Sequence, residues 1–275
     1  TLANFSETAL INREDIDGRF ASYLNNKSIA TYGTTGAAEY RFEVADFSVE
    51  EGYSGAIIMP EYAMGLPATV RVLGEHSLYP VAAAVAVAAR FGLSPEAIVA
   101  GVGAIRAVSG RMNVLRGNKE SIIIDDTYNS SPAAAEAAIR TLYSMAAPER
   151  ILVFGDMNEL GAVSEAEHAR LGGLCDPSLL SWVVTVGEQC EKYFAPVARS
   201  RGCQVKSFKT ALEAGSFANS QLEKGSVTLV KGSEGGIYLE EAVLIMLHTT
   251  ADEEHLVRQS AAWLSKKQRF FSKFQ

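Results

Sequence analysis

The period of the hydrophobic positions changes twice along the chain and divides it into three zones. From Thr8 to about Leu73, apolar residues come in short alternating or β-branched runs: Thr8–Asn12, Ser28–Tyr32, Tyr40–Phe47, Gly55–Met59 and Thr69–Leu73. Gly and acidic clusters such as Val49-Glu50-Glu51-Gly52 punctuate them as hairpin connections do, so this zone predicts mostly antiparallel strands. From Glu75 to Val108 the texture turns to Ala-rich helix. Pro80–Phe91 and Pro95–Ala104 each open on a proline, which suits a first helical turn, and Gly92 stops the first of them.

From Ser121 onward, apolar strands alternate with helical patterns. The strands are Ser121–Asp126, Arg150–Asp156, Trp182–Gly187, Cys203–Phe208 and Ser226–Gly232. The helices between and after them are Pro132–Met145, Ser164–Leu174, Glu188–Arg201, Thr210–Glu223 and Gly236–Leu247. Buried β runs alternating with helices predict an α/β fold, a mostly parallel sheet with helices on both faces. A domain boundary falls near Ala107–Gly110.

Composition changes this picture only by exclusion. A length of 275 residues suits two domains. With 48% hydrophobic and 21% charged residues, disordered, collagen-like and coiled-coil classes are out. The balance of 25 Lys+Arg against 32 Asp+Glu, net −7, argues against nucleic acid as a partner. Cys175, Cys190 and Cys203 form no CxxC pair and have no His at ligand spacing, so they predict free thiols of a reducing compartment and no metal site. The longest apolar run, Pro80–Ala89, is far short of the roughly 20 residues of a membrane span. Thr1–Phe5 has neither the basic nor the apolar region of a signal peptide. A cytoplasmic protein is expected, and the absence of an initiator Met predicts a chain that starts inside a longer one.

Candidate chemistry gathers where ligands of parallel sheets gather, at the carboxyl ends of the strands. Three ends carry unusual polar residues: Asp125-Asp126-Thr127-Tyr128-Asn129, Gly155-Asp156-Met157-Asn158-Glu159 and Lys231-Gly232-Ser233-Glu234. Adjacent carboxylates point to opposite sides of the pleat, so one of Asp125 and Asp126 can cap the next helix while the other faces a cleft; a simple turn and cap explains them equally well. The glycines of Gly155–Gly161 let backbone approach a ligand, although a Gly-Asp turn needs no function. Gly74-Glu75-His76-Ser77 offers amides at a helix start to an anion or a purine edge. Arg111 on a Gly110 hinge suits a phosphate or a surface ion pair. No G-x-x-x-x-G-K-[ST] loop appears; Gly33-Thr34-Thr35-Gly36 is followed by Ala37 and reads as a turn.

In this order and spacing the pieces resemble the Mur ligase family. The carriers are Gly74–Ser77, Ser109–Met112, Ile124–Pro132, Val153–Gly161 with His168, and Val230–Ser233, with Ala9–Asp15 as a weaker mark. The resemblance implies residues 1–108 as the rear part of a central ATPase domain, with strands plus Ala-rich helices. It implies residues 109–250 as a C-terminal Rossmann-like domain and leaves 251–275 as a basic amphipathic helix. It also implies ATP-dependent amide formation through an acyl phosphate, with ATP and Mg²⁺ in the whole enzyme and neither bound tightly by this chain, whose phosphate loop would lie upstream. The implied substrates are a UDP-N-acetylmuramoyl tripeptide and D-alanyl-D-alanine, on a monomer. By resemblance Arg111 and Lys231 are the catalytic cations, and His76, Ser77, Arg111, Asp126 and Asn129 border the nucleotide. Asp125, Asp156, Asn158, Glu159, Lys231 and Ser233 form the substrate face, and no metal ligand is assigned.

Two departures stand out. His76-Ser77-Leu78-Tyr79-Pro80 replaces a His-Asn-x-x-Asn pattern, and Glu234 replaces an Arg. A non-catalytic ligase-like binding module, or a Mur-type or folylpolyglutamate-type ligase with another acceptor, remains the alternative. After Leu247, Leu256, Trp263, Leu264, Phe271 and Phe274 follow helical spacing among Arg258, Lys266, Lys267, Arg269 and Lys273. Such a tail lies on an anionic membrane, docks to a partner, or packs back on its own domain.

Overall fold

The computed structural model describes residues 8–14 and 28–274; Thr1–Phe5 and Asp15 lie outside them. The chain divides into two compact units, Thr1–Ala107 and Val108–Gln275.

In the first unit, β1 (Thr8–Asn12), β2 (Ser28–Gly33), β3 (Tyr40–Ser48), β4 (Gly52–Met59) and β5 (Tyr62–Val70) form one sheet in chain order. The expectation of mostly antiparallel pairing holds only for β3–β4–β5, because β1–β2 and β2–β3 are parallel. Alternation has a period of two in both arrangements, so it does not distinguish them. β5 starts at Tyr62 rather than Thr69; Gly65 and Pro67 mask it, and an edge strand tolerates that proline. The Gly33–Gly36 turn holds an anion from its own chain, since the Thr34 and Thr35 amides donate to the Glu14 carboxylate at 2.8–3.1 Å. A side chain at Gly33 would strike that carboxylate.

Two helices cover the sheet, α1 (Leu78–Arg90) and α2 (Pro95–Ala104, capped by Ser94). Pro80 therefore sits at the third position of α1, where an amide has no intrahelical partner to lose. Val81, Val85, Ile98 and Val102 close the core over Phe42 and Ile57.

In the second unit, six strands run in the order β10-β9-β8-β11-β7-β6. They are β6 (Asn113–Arg116), β7 (Ile122–Asp126), β8 (Arg150–Gly155), β9 (Trp182–Val186), β10 (Val205–Phe208) and β11 (Val227–Lys231). β7 to β11 are parallel and β6 is antiparallel. Edge strand β6 carries one apolar pair among polar residues, which hides it from a periodicity reading. Helices α3 (Pro132–Ser144), α4 (Ser164–Gly172), α5 (Ala195–Ser200), α6 (Ala211–Gln221) and α7 (Glu240–Met246) pack on the two faces. The helix expected over Glu188–Arg201 divides into a π-type turn, Cys190–Phe194, and α5, with Pro196 in the first turn of the latter. On one face Ile123, Val153, Val184 and Val230 meet α6 and α7; on the other Phe154 stacks on Phe194 at 4.8 Å.

The segment after Leu247 belongs to this unit. Helix α8 (Ala261–Phe271) buries Phe271 and lays Trp263 and Phe270 on the domain core. Its basic character is partly turned inward, with the Lys267 ammonium on Glu241 and 3.7 Å from Glu240. Of the three expectations for this tail, the structure has it packed on its own domain. Among the described residues no helix is long and apolar enough to cross a membrane.

Candidate active site

The carboxyl ends of β7, β8 and β11 lie side by side because β11 is inserted between the other two. Lys231 and Asp126 are register partners, so both project to the same side of neighbouring strands. The Lys231 ammonium reaches Asp126 Oδ2 at 2.6 Å and the Asn129 carbonyl at 3.1 Å, and Asp126 Oδ1 accepts the Met112 amide. Lys231 is 1% exposed. A buried ion pair holds together when its remaining hydrogen-bond capacity is met, and a lone buried charge is expensive.

Asp125 points the other way and is fully buried. Its Oδ1 accepts the amide and hydroxyl of Thr127, whereas Oδ2 has no partner. Burial pushes its carboxyl up to about 6, and the charges of Asp126 and Glu240 add to the shift. Neither aspartate caps the helix that opens at Pro132, because Ser131 does. That corrects the cap assigned to this pair.

Asp156 also turns inward. Its oxygens accept the amides of Gln189 and Cys190 at 3.1 and 2.7 Å, which closes the turn after β9. The close approach requires Gly187, at φ +104°, where a Cβ would meet that carboxylate at 2.4 Å. His168 is fully buried; its Nε2 accepts the Met157 amide and its Nδ1 faces the Ser164 carbonyl. Asp156, His168 and Cys190 bring ligand atoms within 4.8 Å of one another, a trio that sequence spacing hid. Burial and the neighbouring Asp156 push the Cys190 thiol well up, and the trio's acceptors already serve backbone amides, so it is a hydrogen-bonded support. Gly155 likewise serves packing: Ile237 and Leu239 fill the space of a Cβ there, in place of the ligand approach expected.

Above this floor lies an open pocket of about 190 Å³, lined by Asn129, Asn158, Glu159, Ser233, Glu234, Gly235, Trp263 and Lys266. The Asn158 amide donates to Ser233 Oγ and its side chain to the Gly235 carbonyl, joining the β8 and β11 loops. The exposed Arg111 lays its guanidinium over the Tyr128 ring at 4.3 Å. The structure thus brings Asn129, Asn158, Glu159 and Ser233 to one pocket and puts Asp125, Asp126, Asp156 and Lys231 beneath it. In the first unit, His76 and Ser77 are half-buried, and the Ser77 hydroxyl donates to the Leu73 carbonyl.

Sequence reasoning missed Arg258. Its guanidinium pairs with the buried Glu240 at 2.7 Å and donates to the Thr127 and Tyr128 carbonyls, so the tail props the β7 loop. Burial works against its charge, but Glu240 more than offsets that and the net shift is upward. A single Arg among five basic tail residues carries no local signal of this role.

Residues 110–234 match the family profile described as Mur ligase, glutamate ligase domain. The UDP-N-acetylmuramoyl-tripeptide–D-alanyl-D-alanine ligase of Bacillus subtilis is 30% identical over 221 residues, 78% of this chain and 46% of that protein. A solved MurF from Acinetobacter baumannii overlays with TM-score 0.69 at 25% identity, over 86% of this chain and 51% of that one. MurF from Thermotoga maritima, solved with ADP, shares the fold at TM-score 0.71 and 20% identity, over 86% of this chain and 52% of that one. The chain spans about half the length of each of these three relatives. Over residues 110–234 the chain is thus similar to a Mur ligase domain.

Proposed function

We propose that this chain supplies the acceptor side of an ATP-dependent amide ligase, one that joins D-alanyl-D-alanine to a UDP-N-acetylmuramoyl tripeptide. The observation that carries the reading is the gathering of three strand-end loops, Asp125–Asn129, Gly155–Glu159 and Lys231–Glu234, around one polar pocket in a Mur ligase domain. In such a reaction the precursor carboxylate becomes an acyl phosphate, the incoming amine attacks its carbonyl carbon, and phosphate departs. Little covalent chemistry falls to the protein, whose work is positioning and charge neutralisation. Asp126, oriented by Lys231, meets the ribose hydroxyls, and the exposed Arg111 meets phosphate. His76 and Ser77 border the adenine, while Asn129, Asn158, Glu159 and Ser233 receive the acceptor. Asp125 and Asp156 support these loops from below.

Mg²⁺ accompanies the ATP phosphates, but the strand-end carboxylates do not fit as its ligands. Asp126 is committed to Lys231, and Asp156 to two amides. A cytoplasmic setting follows from the nucleotide substrates. The test is phosphate release by the whole product of the gene. Release that needs both D-alanyl-D-alanine and the tripeptide precursor supports the reading; turnover with neither overturns it.

A further inference from the structure

The tail helix α8 lies beyond the 110–234 match, yet two of its residues, Trp263 and Lys266, line the strand-end pocket. Lys266 is the one basic side chain among the lining residues, against two acidic ones, Glu159 and Glu234. Lys231 is buried and neutralised by Asp126, and Arg258 is paired with the buried Glu240, so neither is available to a ligand in the pocket. Lys266 is held in place. Its ammonium stands 4.3 Å from the Trp263 ring centroid, and the helix under it is fixed by buried Phe271 and by Lys267 on Glu241. Without Lys266, the charged lining would be purely acidic and would repel any carboxylate. With it, the pocket presents both signs, the complement of a zwitterion.

We propose that Lys266 is a specificity-determining residue of this pocket, pairing with the carboxylate of a zwitterionic acceptor whose ammonium faces Glu159 and Glu234. The assignment rests on the ligase reading above and deepens it, since the cation comes from the tail in place of the strand-end loop, where Glu234 stands.

Calorimetric titration of the 275-residue chain with D-alanyl-D-alanine, with its C-terminal amide and with meso-diaminopimelate tests it. An ion pair at a partly solvated site is worth about 1 kcal/mol, or roughly fivefold in affinity. Lys266→Met is therefore expected to weaken D-alanyl-D-alanine about fivefold and leave the amide within about twofold, with Lys266→Arg restoring the difference. Because Lys266 is exposed, the variants keep the fold, which circular dichroism checks. Equal loss for dipeptide and amide, or no loss for either, overturns the assignment, as does a chain that binds neither zwitterion. Binding of meso-diaminopimelate alone, still dependent on Lys266, overturns the proposed acceptor and leaves Lys266 in its role.

Discussion

The floor and the rim of the strand-end site are built on opposite terms. On the floor, Asp126, Lys231, Asp156 and His168 are buried, and each has partners within the domain. On the rim, Asn129, Glu159, Glu234 and Lys266 face an open pocket. The floor holds geometry at the expense of desolvated charge, so its residues answer to stability. The rim leaves its charges in water, where they are free to meet a ligand. Motif residues from one short string, such as Asp156 and Glu159, fall on different sides of this division.

Four measurements can break or sharpen the contrast. The largest effect is expected for Lys231→Met, which strands the Asp126 carboxylate and should cost about 3–5 kcal/mol by urea denaturation. Adding Asp126→Leu should recover most of that loss; no recovery would mean the pair is not the reason. Next is Asp125, whose folded pKa of about 6 exceeds its ordinary value of 3.8. The folded state then binds more protons than the unfolded one, so stability falls as pH rises through the window from about 4 to 6. The loss approaches roughly 3 kcal/mol at full span. Asp125→Asn should flatten that slope, and a slope unchanged in the variant would move its origin elsewhere.

Gly187→Ala comes third. It combines a positive φ with a collision against Asp156, for about 2 kcal/mol in the melting transition. The smallest effect belongs to the rim: Glu234→Ala and Lys266→Ala should stay within about 0.5 kcal/mol of the parent. A rim variant as costly as Lys231→Met would erase the distinction.

Much of the fold was legible from Ile122-Ile123-Ile124, Ile151-Leu152-Val153 and their counterparts, since uninterrupted apolar runs between helical patterns mean a covered parallel sheet. The polar strings after β7, β8 and β11, which meet at one pocket, were legible too as candidate chemistry. The division of labour within those strings was not. Asp156 is committed to amides 33 and 34 residues away, and Lys231 to a carboxylate 105 residues away, so their partners are set by topology rather than by neighbours. The direction of β1 and β2, the edge strand β6 and the prop Arg258 escaped for the same reason. Each is decided by a distant segment with little local mark.

The position of β11 also bears on how this domain is made. It is the last of the six strands in the chain, yet it lies between β8 and β7 near the centre of the sheet. Until residues 227–231 arrive, β7 and β8 have no bridge, and each leaves an open edge. Closure of the sheet is therefore a late, long-range event, of the kind that slows folding and exposes a nascent chain to misassembly. A slip of one residue would turn Lys231 away from Asp126 and drive its charge into the opposite face. The ion pair that forms the site's floor thus also acts as a check that the final strand has seated in the correct register.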